Sequence, residues 1–342
     1  MSRFLSKKHE RLSPYAPGEQ PRRGKYIKLN TNESPYPPSE KARRYAADAA
    51  RKLELYPDPE CGALREKAAA YYGVAPEELI FSNGSVEVLN FAFMAFCGDE
   101  RPALFPNISY GFYPVFAALN RVPYEEISLR EDFSIAPADY AGKRAAIFIA
   151  NPNAPTGIAL PRAAVEEILR GSPDSIVIVD EAYVDFGAES CVPLIRSYDN
   201  LLVTQTFSKS RSMAGARLGI GIGNRELIRD LKTMQYSTNP YNVNSMTMAA
   251  ALGALEDEEY FKENCEKIAR DRAWTAERLR GLGFELTDSA SNFLFAGKTA
   301  PGGRELYLRL REKGILVRHF DKPGLSDYLR ITVGSREQME AL

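Results

Sequence analysis

Strand-like and helix-like segments alternate from about residue 60 to residue 240, which predicts an α/β fold with a mostly parallel sheet covered by helices on both faces. Three observations carry this. Runs such as "AAIFIA" and "SIVIV" are apolar without alternation, as strands buried on both faces require. Segments of helical period, such as "RAAVEEILRG" and "NRELIRDLKTM", separate them. Near Asn239 the alternation stops and a long helical stretch leads into short strands, the mark of a smaller α+β domain. At 342 residues the chain has room for two domains. The expected division is 46–240 for the large one, and 1–45 with 241–342 for the small one.

In order, "ALREKAAAYYG" reads as a helix stopped by Gly73. "ELIF" is a strand entering the turn "SNGS", and "VEVLNFAFMAF" is the apolar helix after it. "RPALFP" and "AAIFIANP" are buried strands ending in Pro or Asn-Pro, and "RAAVEEILRG" is a helix with Gly171 as its stop. "DSIVIVDEA" and "NLLVTQTFS" are two further strands, and "NRELIRDLKTM" is a helix. "NSMTMAAALGALEDEEYFKENCEKIARDRAWTAERLRGLG" is helical, with an interruption expected at Gly253. "FELTDSASNFLFAG", the helical "GGRELYLRLREKG", "ILVRHF" and "YLRITVGS" complete the small domain. The chain ends at "REQMEAL", where a last helix is expected to begin, as if cut short.

Composition excludes several classes. Hydrophobic residues make up 44%, which argues against disorder, and the formal net charge of −1 leaves no global basic field for nucleic acid. The apolar runs fall far short of the ~20 residues a membrane span needs. "MSRFLSKKHERLSPYAPGEQPRRGK" lacks the apolar stretch of a signal peptide, so a cytoplasmic protein is expected. The four cysteines are scattered without a CxxC pair, as in reduced thiols. The two histidines, His9 and His319, lie near no Gly-Ser elbow or carboxylate cluster. A Ser-His-Asp hydrolase and a His-ligated metal site are therefore disfavoured, and no metal is expected. "GIGIGN" has Asn224 where a dinucleotide fingerprint needs its third glycine.

In open α/β sheets ligands bind beyond the carboxyl ends of the strands. There the chain places Asn83-Gly84-Ser85 before a helix, with Ser85 as expected cap and anion site. It also places "NPNAPTG" with Asn153, "DEAYVDF" with Asp180 and Tyr183, and "TFSKSRSMAGAR" with Lys209 and Arg217. Each alone fits an ordinary capped helix, rigid loop or solvated side chain. Together they suit pyridoxal phosphate: a lysine for its aldehyde, an aspartate for its pyridine nitrogen, a tyrosine or asparagine for its ring hydroxyl, and a helix terminus with an arginine for its phosphate. A partly desolvated lysine beside a cation has a lowered pKa and is nucleophilic toward carbonyls, and Arg217 is a candidate for that cation or for a phosphate clamp.

"DEAYVDF", "TFSKSRSMAGARLG" and "NPNAPTG", in this order, resemble the fold-type I pyridoxal-phosphate aminotransferases. "RLSPYAPGE", "IKLNTNESPYPPS", "YPDPECGALREKAA", "PYNVNS", "SNFLF", "GILVRHF" and "LRITVGS" are similar to histidinol-phosphate aminotransferases. The resemblance spans nearly the whole chain. It implies a seven-stranded large-domain sheet, with Lys209 as Schiff-base lysine and catalytic base. Asp180 would pair with the pyridine nitrogen, Tyr183 with the ring hydroxyl, and Tyr110 would stack on the ring. Gly84, Ser85, Val86, Thr206, Ser208 and Arg217 would hold the phosphate, and Tyr56 would reach the phosphate in a neighbouring subunit, which implies a homodimer. Arg330, helped by Arg318 and Tyr15, would bind the anionic end of the substrate. The implied substrates are histidinol phosphate or imidazole-acetol phosphate, with glutamate or 2-oxoglutarate. An aromatic amino-acid aminotransferase would keep almost every motif, and an amino-acid-phosphate decarboxylase on the same cofactor would share Lys209 and Asp180. Two positions depart from the family: Ala154 replaces a common asparagine, leaving Asn153 or Tyr183 alone for the ring hydroxyl, and Val86 replaces an acidic residue.

Overall fold

The computed structural model describes residues 2–10, 12–21, 26–298 and 300–342. Its centre is a seven-stranded sheet in the order Leu79–Ser82, Gly219–Gly223, Leu201–Thr206, Ile176–Asp180, Ala146–Ala150, Ala103–Pro106, Tyr124–Ile127. Only Gly219–Gly223 runs antiparallel to its neighbours, so the sheet is mostly parallel, as expected. Alternate residues serve two cores. Ile147, Ile149, Val177 and Val179 pack with the helices Gly62–Tyr72, Arg162–Gly171 and Ser245–Leu255. Ala146, Phe148, Ile176 and Ile178 pack with Ser85–Phe96, Tyr113–Asn120 and Arg225–Thr238. Burial on both faces explains the uninterrupted apolar runs. Phe148 stacks on Phe93 at 4.2 Å between centroids, a contact whose truncation to alanine costs ~3–5 kcal/mol. The outer edge strand, Tyr124–Ile127, exposes Tyr124, Glu125 and Glu126, and Glu125 pairs with Lys143.

A second sheet, antiparallel, has the order Arg318–His319, Tyr328–Thr332, Phe293–Gly297, Glu285–Leu286. It shares a core with the 24-residue helix Glu258–Gly281 and with Gly303–Glu312 and Arg336–Ala341. Near the N-terminus Ile27–Lys28 pairs in parallel with Ile315–Leu316, which delivers the "LNTNES" loop to the carboxyl edge of the large sheet. Among the described residues no helix is long and apolar enough to cross a membrane.

Three local expectations need correction. Gly253 does not interrupt a helix: it lies within Ser245–Leu255, and the break falls at Glu256 and Asp257. The glycine is there for close packing, since a Cβ would meet Lys41 O at 2.8 Å and the Ala42 backbone at 2.9 Å across the helix Glu40–Ala49. Gly171 is the last helical residue and Ser172 ends the helix. Gly73, by contrast, takes the left-handed φ of +66° that a glycine stop uses. "ILVRHF" forms two short strands, because its first half pairs with Ile27–Lys28 and its second with Tyr328–Thr332.

Candidate active site

The parallel strands end on one edge of the sheet, and the motif residues gather there. After Leu79–Ser82 the chain turns at Gly84, whose φ is +83°. Gly84 itself occupies the N-cap of Ser85–Phe96, without a side-chain cap. Ser85 is thus the first helical residue and does not cap the helix as expected; the Asn83 and Gly84 amides are taken by Glu87 Oε2 and Ser82 O, so the first-turn amides of Ser85 and Val86 are the ones that could meet an anion. The Arg217 guanidinium closes over this turn: a Cβ on Gly84 would lie 2.6 Å from Nη2. Arg217 also donates to Ser208 Oγ at 3.4 Å, and Thr206 Oγ1 donates to Ser208 Oγ at 3.0 Å. Helix terminus, cation and two hydroxyls lie together as a cradle that could hold an anion, to which Val86 could add its backbone N–H.

Asp180 ends the strand Ile176–Asp180 and is 5% exposed. Its carboxylate accepts from Thr204 Oγ1 at 3.2 Å. Burial raises its pKa to about 6, against the pull of Thr204 and the Ala182 amide. Lys209 stands at the end of the next strand, donates from Nζ to Thr31 O at 3.1 Å, and sits 5.8 Å from the Tyr183 ring centroid. Burial, then the positive field of Arg330, lower its pKa to about 7, with Arg217 and Lys28 adding less and Glu33 opposing. The chief cation acting on the lysine is therefore Arg330, while Arg217 adds less and sits over the Gly84 turn, as the alternative role of phosphate clamp expects. Tyr183 packs edge-on against Phe293 at 5.0 Å, and its Oη accepts from Asn32 Nδ2 at 2.9 Å.

Arg330 donates to Asn30 O at 3.1 Å, and its buried Nε has no partner among the described residues. Such a buried orphan donor suits an anionic ligand. Arg318 pairs across the sheet with Arg330, and both lie over the Phe320 ring, at 5.6 and 5.7 Å. Arg318 donates to Ala16 O at 3.0 Å and Pro17 O at 3.3 Å, which lays the N-terminal segment beside the site. Tyr15, on that segment, stacks on Phe112 at 4.1 Å and lies 6.5 Å from Tyr110. Burial pushes the Tyr110 hydroxyl well above its ordinary pKa, and its ring meets Tyr113 edge-on at 5.7 Å.

Two named residues stand apart. Asn153 gives its amide hydrogens to Ile108 O at 2.9 Å and Thr156 Oγ1 at 3.1 Å, and its oxygen accepts from Ser109 at 2.9 Å. It holds its own loop and has no donor left for a ligand. Tyr56 is 82% exposed and stacks on Tyr241 at 4.7 Å, away from Lys209 within its own chain. Sequence reasoning assigned no role to Thr31, Asn32 and Gly219. A Cβ on Gly219 would meet Ser85 N at 2.0 Å, so that glycine lets the cradle sit on the sheet. The "LNTNES" motif was a signal for the first two, and "GIGIG" for the third.

The profile of the family described as aminotransferase class I and II matches residues 24–342. The chain belongs to the class I and II aminotransferases. This aminotransferase is 51% identical over 338 residues to histidinol-phosphate aminotransferase 1 of Bradyrhizobium diazoefficiens, covering 99% of this chain and 97% of that one. It is 47% identical over 346 residues to the histidinol-phosphate aminotransferase of a Marinomonas species, covering 100% and 98%. The structure of histidinol-phosphate aminotransferase from Sinorhizobium meliloti in complex with pyridoxal-5'-phosphate shares the aminotransferase fold, with a TM-score of 0.85 at 24% identity over 93% of this chain and 89% of that one.

Proposed function

We propose that this aminotransferase uses pyridoxal 5'-phosphate to move an amino group between L-histidinol phosphate and 2-oxoglutarate, with imidazole-acetol phosphate and glutamate as the partner pair. The observation that carries the reading is a lysine lowered to about 7 beside an aspartate raised to about 6, on adjacent strand ends. The cradle of Gly84, Ser85, Val86, Thr206, Ser208 and Arg217 supports it, because it fits a phosphate ester. The cofactor, when bound, supplies an electron sink for the charge left as a proton leaves the substrate carbon.

The chain's own residues do the rest. Lys209, half neutral near pH 7, is nucleophilic toward a carbonyl and then takes a proton at Nζ and returns it. Asp180 would hold the protonated ring nitrogen of the cofactor, an ion pair that would offset the burial that raises its pKa. Tyr183 would serve the ring hydroxyl, and Tyr110 would stack on the ring. Arg330 and Arg318 would take the phosphate of histidinol phosphate or, at the same place, a carboxylate of 2-oxoglutarate, with Tyr15 beside them. Tyr56 is assigned to the site of a partner subunit in a homodimer, which its exposure and its stack on exposed Tyr241 support. The proposed location is the cytoplasm. The proposed division is 46–240 against the flanking segments, with Glu40–Ala49 and Ser245–Leu255 counted with the large core they pack on.

The test is the visible spectrum of the cofactor-loaded protein. The proposal expects a band bleached by L-histidinol phosphate and restored by 2-oxoglutarate. Bleaching by phenylalanine or tyrosine alone would move the substrate to aromatic amino acids. Release of carbon dioxide from an amino-acid phosphate, without exchange with glutamate, would mean a decarboxylase.

A further inference from the structure

The hydrogen bonds behind Tyr183 run in one direction. The Asn32 backbone N–H donates to Thr332 Oγ1 at 2.9 Å, and a backbone N–H can only donate. The Thr332 hydroxyl donates in turn to Asn32 Oδ1 at 3.1 Å. With its oxygen turned to Thr332, the Asn32 amide must present Nδ2 to Tyr183, where it donates to Oη at 2.9 Å. Tyr183 Oη is therefore an acceptor on this side, and its single proton is free to point into the site. Among the described residues that hydroxyl makes no other hydrogen bond.

The arrangement is built, not incidental. Asn32 is 1% exposed and holds a left-handed φ of +56°, which asparagine tolerates better than most residues. Its carbonyl accepts from Asn292 Nδ2 at 3.0 Å, and Thr332 N donates to Leu29 O at 2.9 Å. The neighbouring candidates for a ring-oxygen donor are absent: Asn153 has spent its amide hydrogens, and Ala154 offers only a methyl. Thr332 also shares its strand with Arg330, so the residue that takes the substrate anion and the residue that orients the relay move as one piece.

We propose that Asn32, locked by Thr332, is a positioning residue that aims the Tyr183 hydroxyl proton at the ring oxygen of the bound cofactor. This rests on the proposed function, since it needs pyridoxal phosphate at Lys209. A hydrogen bond donated to the ring oxygen favours the deprotonated form of the bound cofactor, in which that oxygen carries the negative charge. Losing the donor holds the proton to higher pH.

The experiment is a pH titration of the visible band of the cofactor-loaded protein, with Tyr183→Phe as reference. Asn32→Asp keeps the size and the tolerance of left-handed backbone but presents only acceptors, so the Tyr183 proton turns toward it. The midpoint is expected to rise by about one pH unit, as for losing one hydrogen bond to a charged group. Tyr183→Phe should raise it similarly, and the double variant should rise no further than either alone. Thr332→Val, which frees the amide to flip, should shift the midpoint in the same direction by less, and it serves as the test if Asn32→Asp does not fold. An unchanged midpoint in the folded Asn32 or Thr332 variant, while Tyr183→Phe shifts, overturns the proposal, as do additive shifts in the double variant. Failure of the parent reading looks different: the wild-type chain would take up no pyridoxal phosphate, or show no titrating band.

Discussion

Replacing Gly219 by alanine tests whether the anion cradle depends on contact between two backbones. The added Cβ would lie 2.0 Å from Ser85 N, 2.3 Å from Gly84 C and 2.5 Å from Ser85 Cα. All three are backbone atoms at a helix start, so no side chain can rotate away, and the turn must retreat by more than 1 Å to reach ordinary contact. Overpacking of this kind costs ~1–3 kcal/mol, and the absence of a soft neighbour puts this case at the upper end. The same retreat pulls the Ser85 and Val86 amides off the phosphate. Losing one hydrogen bond to a charged group is worth about 1.5–3 kcal/mol, so pyridoxal phosphate affinity should fall at least tenfold. Equilibrium dialysis measures the affinity and a thermal melt of the apoprotein measures the stability. Gly215→Ala is the control: a Cβ there meets nothing within 4 Å and its backbone is not left-handed, so it should be neutral or slightly stabilising. A folded Gly219→Ala protein that binds the cofactor as tightly as wild type would refute the reasoning.

Further outcomes follow from the same geometry. Lys209→Ala should abolish borohydride fixation of the cofactor. It should also flatten the rise in apoprotein stability expected of wild type as pH climbs from about 7 toward 10.5, where the unfolded lysine binds a proton that the folded one does not. Glu181 is 1% exposed, accepts from Ser190 Oγ at 2.7 Å and Gln205 Nε2 at 2.8 Å, and is raised by burial to about 7. Between its ordinary value of 4.5 and 7 the folded state binds more protons, so stability falls as pH rises there, and Glu181→Gln should flatten that slope in melts taken across the interval. Arg330→Lys gives up the fork geometry for a bidentate anion and should raise KM for both substrates by tenfold or more in steady-state assays. Mixing Lys209→Ala chains with Tyr56→Ala chains should yield more activity than the two separately, because a hybrid dimer would contain one intact site. No gain on mixing would argue that Tyr56 serves no partner.

The parts legible in the sequence were those whose chemistry is local. Parallel strands buried on both faces announce themselves as apolar runs, and a charged residue straight after one is conspicuous, which is how Asp180 and Lys209 were found. The anion turn was legible as Asn83-Gly84-Ser85, but Ser85 was read as a cap because serine usually caps, whereas Gly84 takes that position with its left-handed backbone. Gly253 and Gly171 were read as breakers on intrinsic propensity, which tertiary packing overrode. The "LNTNES" motif flags Thr31 and Asn32 as a segment, but what they and Thr332 do is not legible there. Their roles arise from contacts across 151 to 300 residues of chain, and nothing in a local window marks an asparagine whose amide must face one way.

The edge strand Tyr124–Ile127 bears on how the enzyme survives its own assembly. A mostly parallel sheet waits for distant segments to meet, so partly folded chains persist with an open edge to which a second chain can add. On this edge Glu125 and Glu126 stand in the open. Two chains approaching there would bring carboxylates together before any backbone hydrogen bond forms, and the growing sheet would repel a copy of itself. Substituting both with threonine should leave the active site untouched, yet lower the yield of refolded protein as its concentration rises.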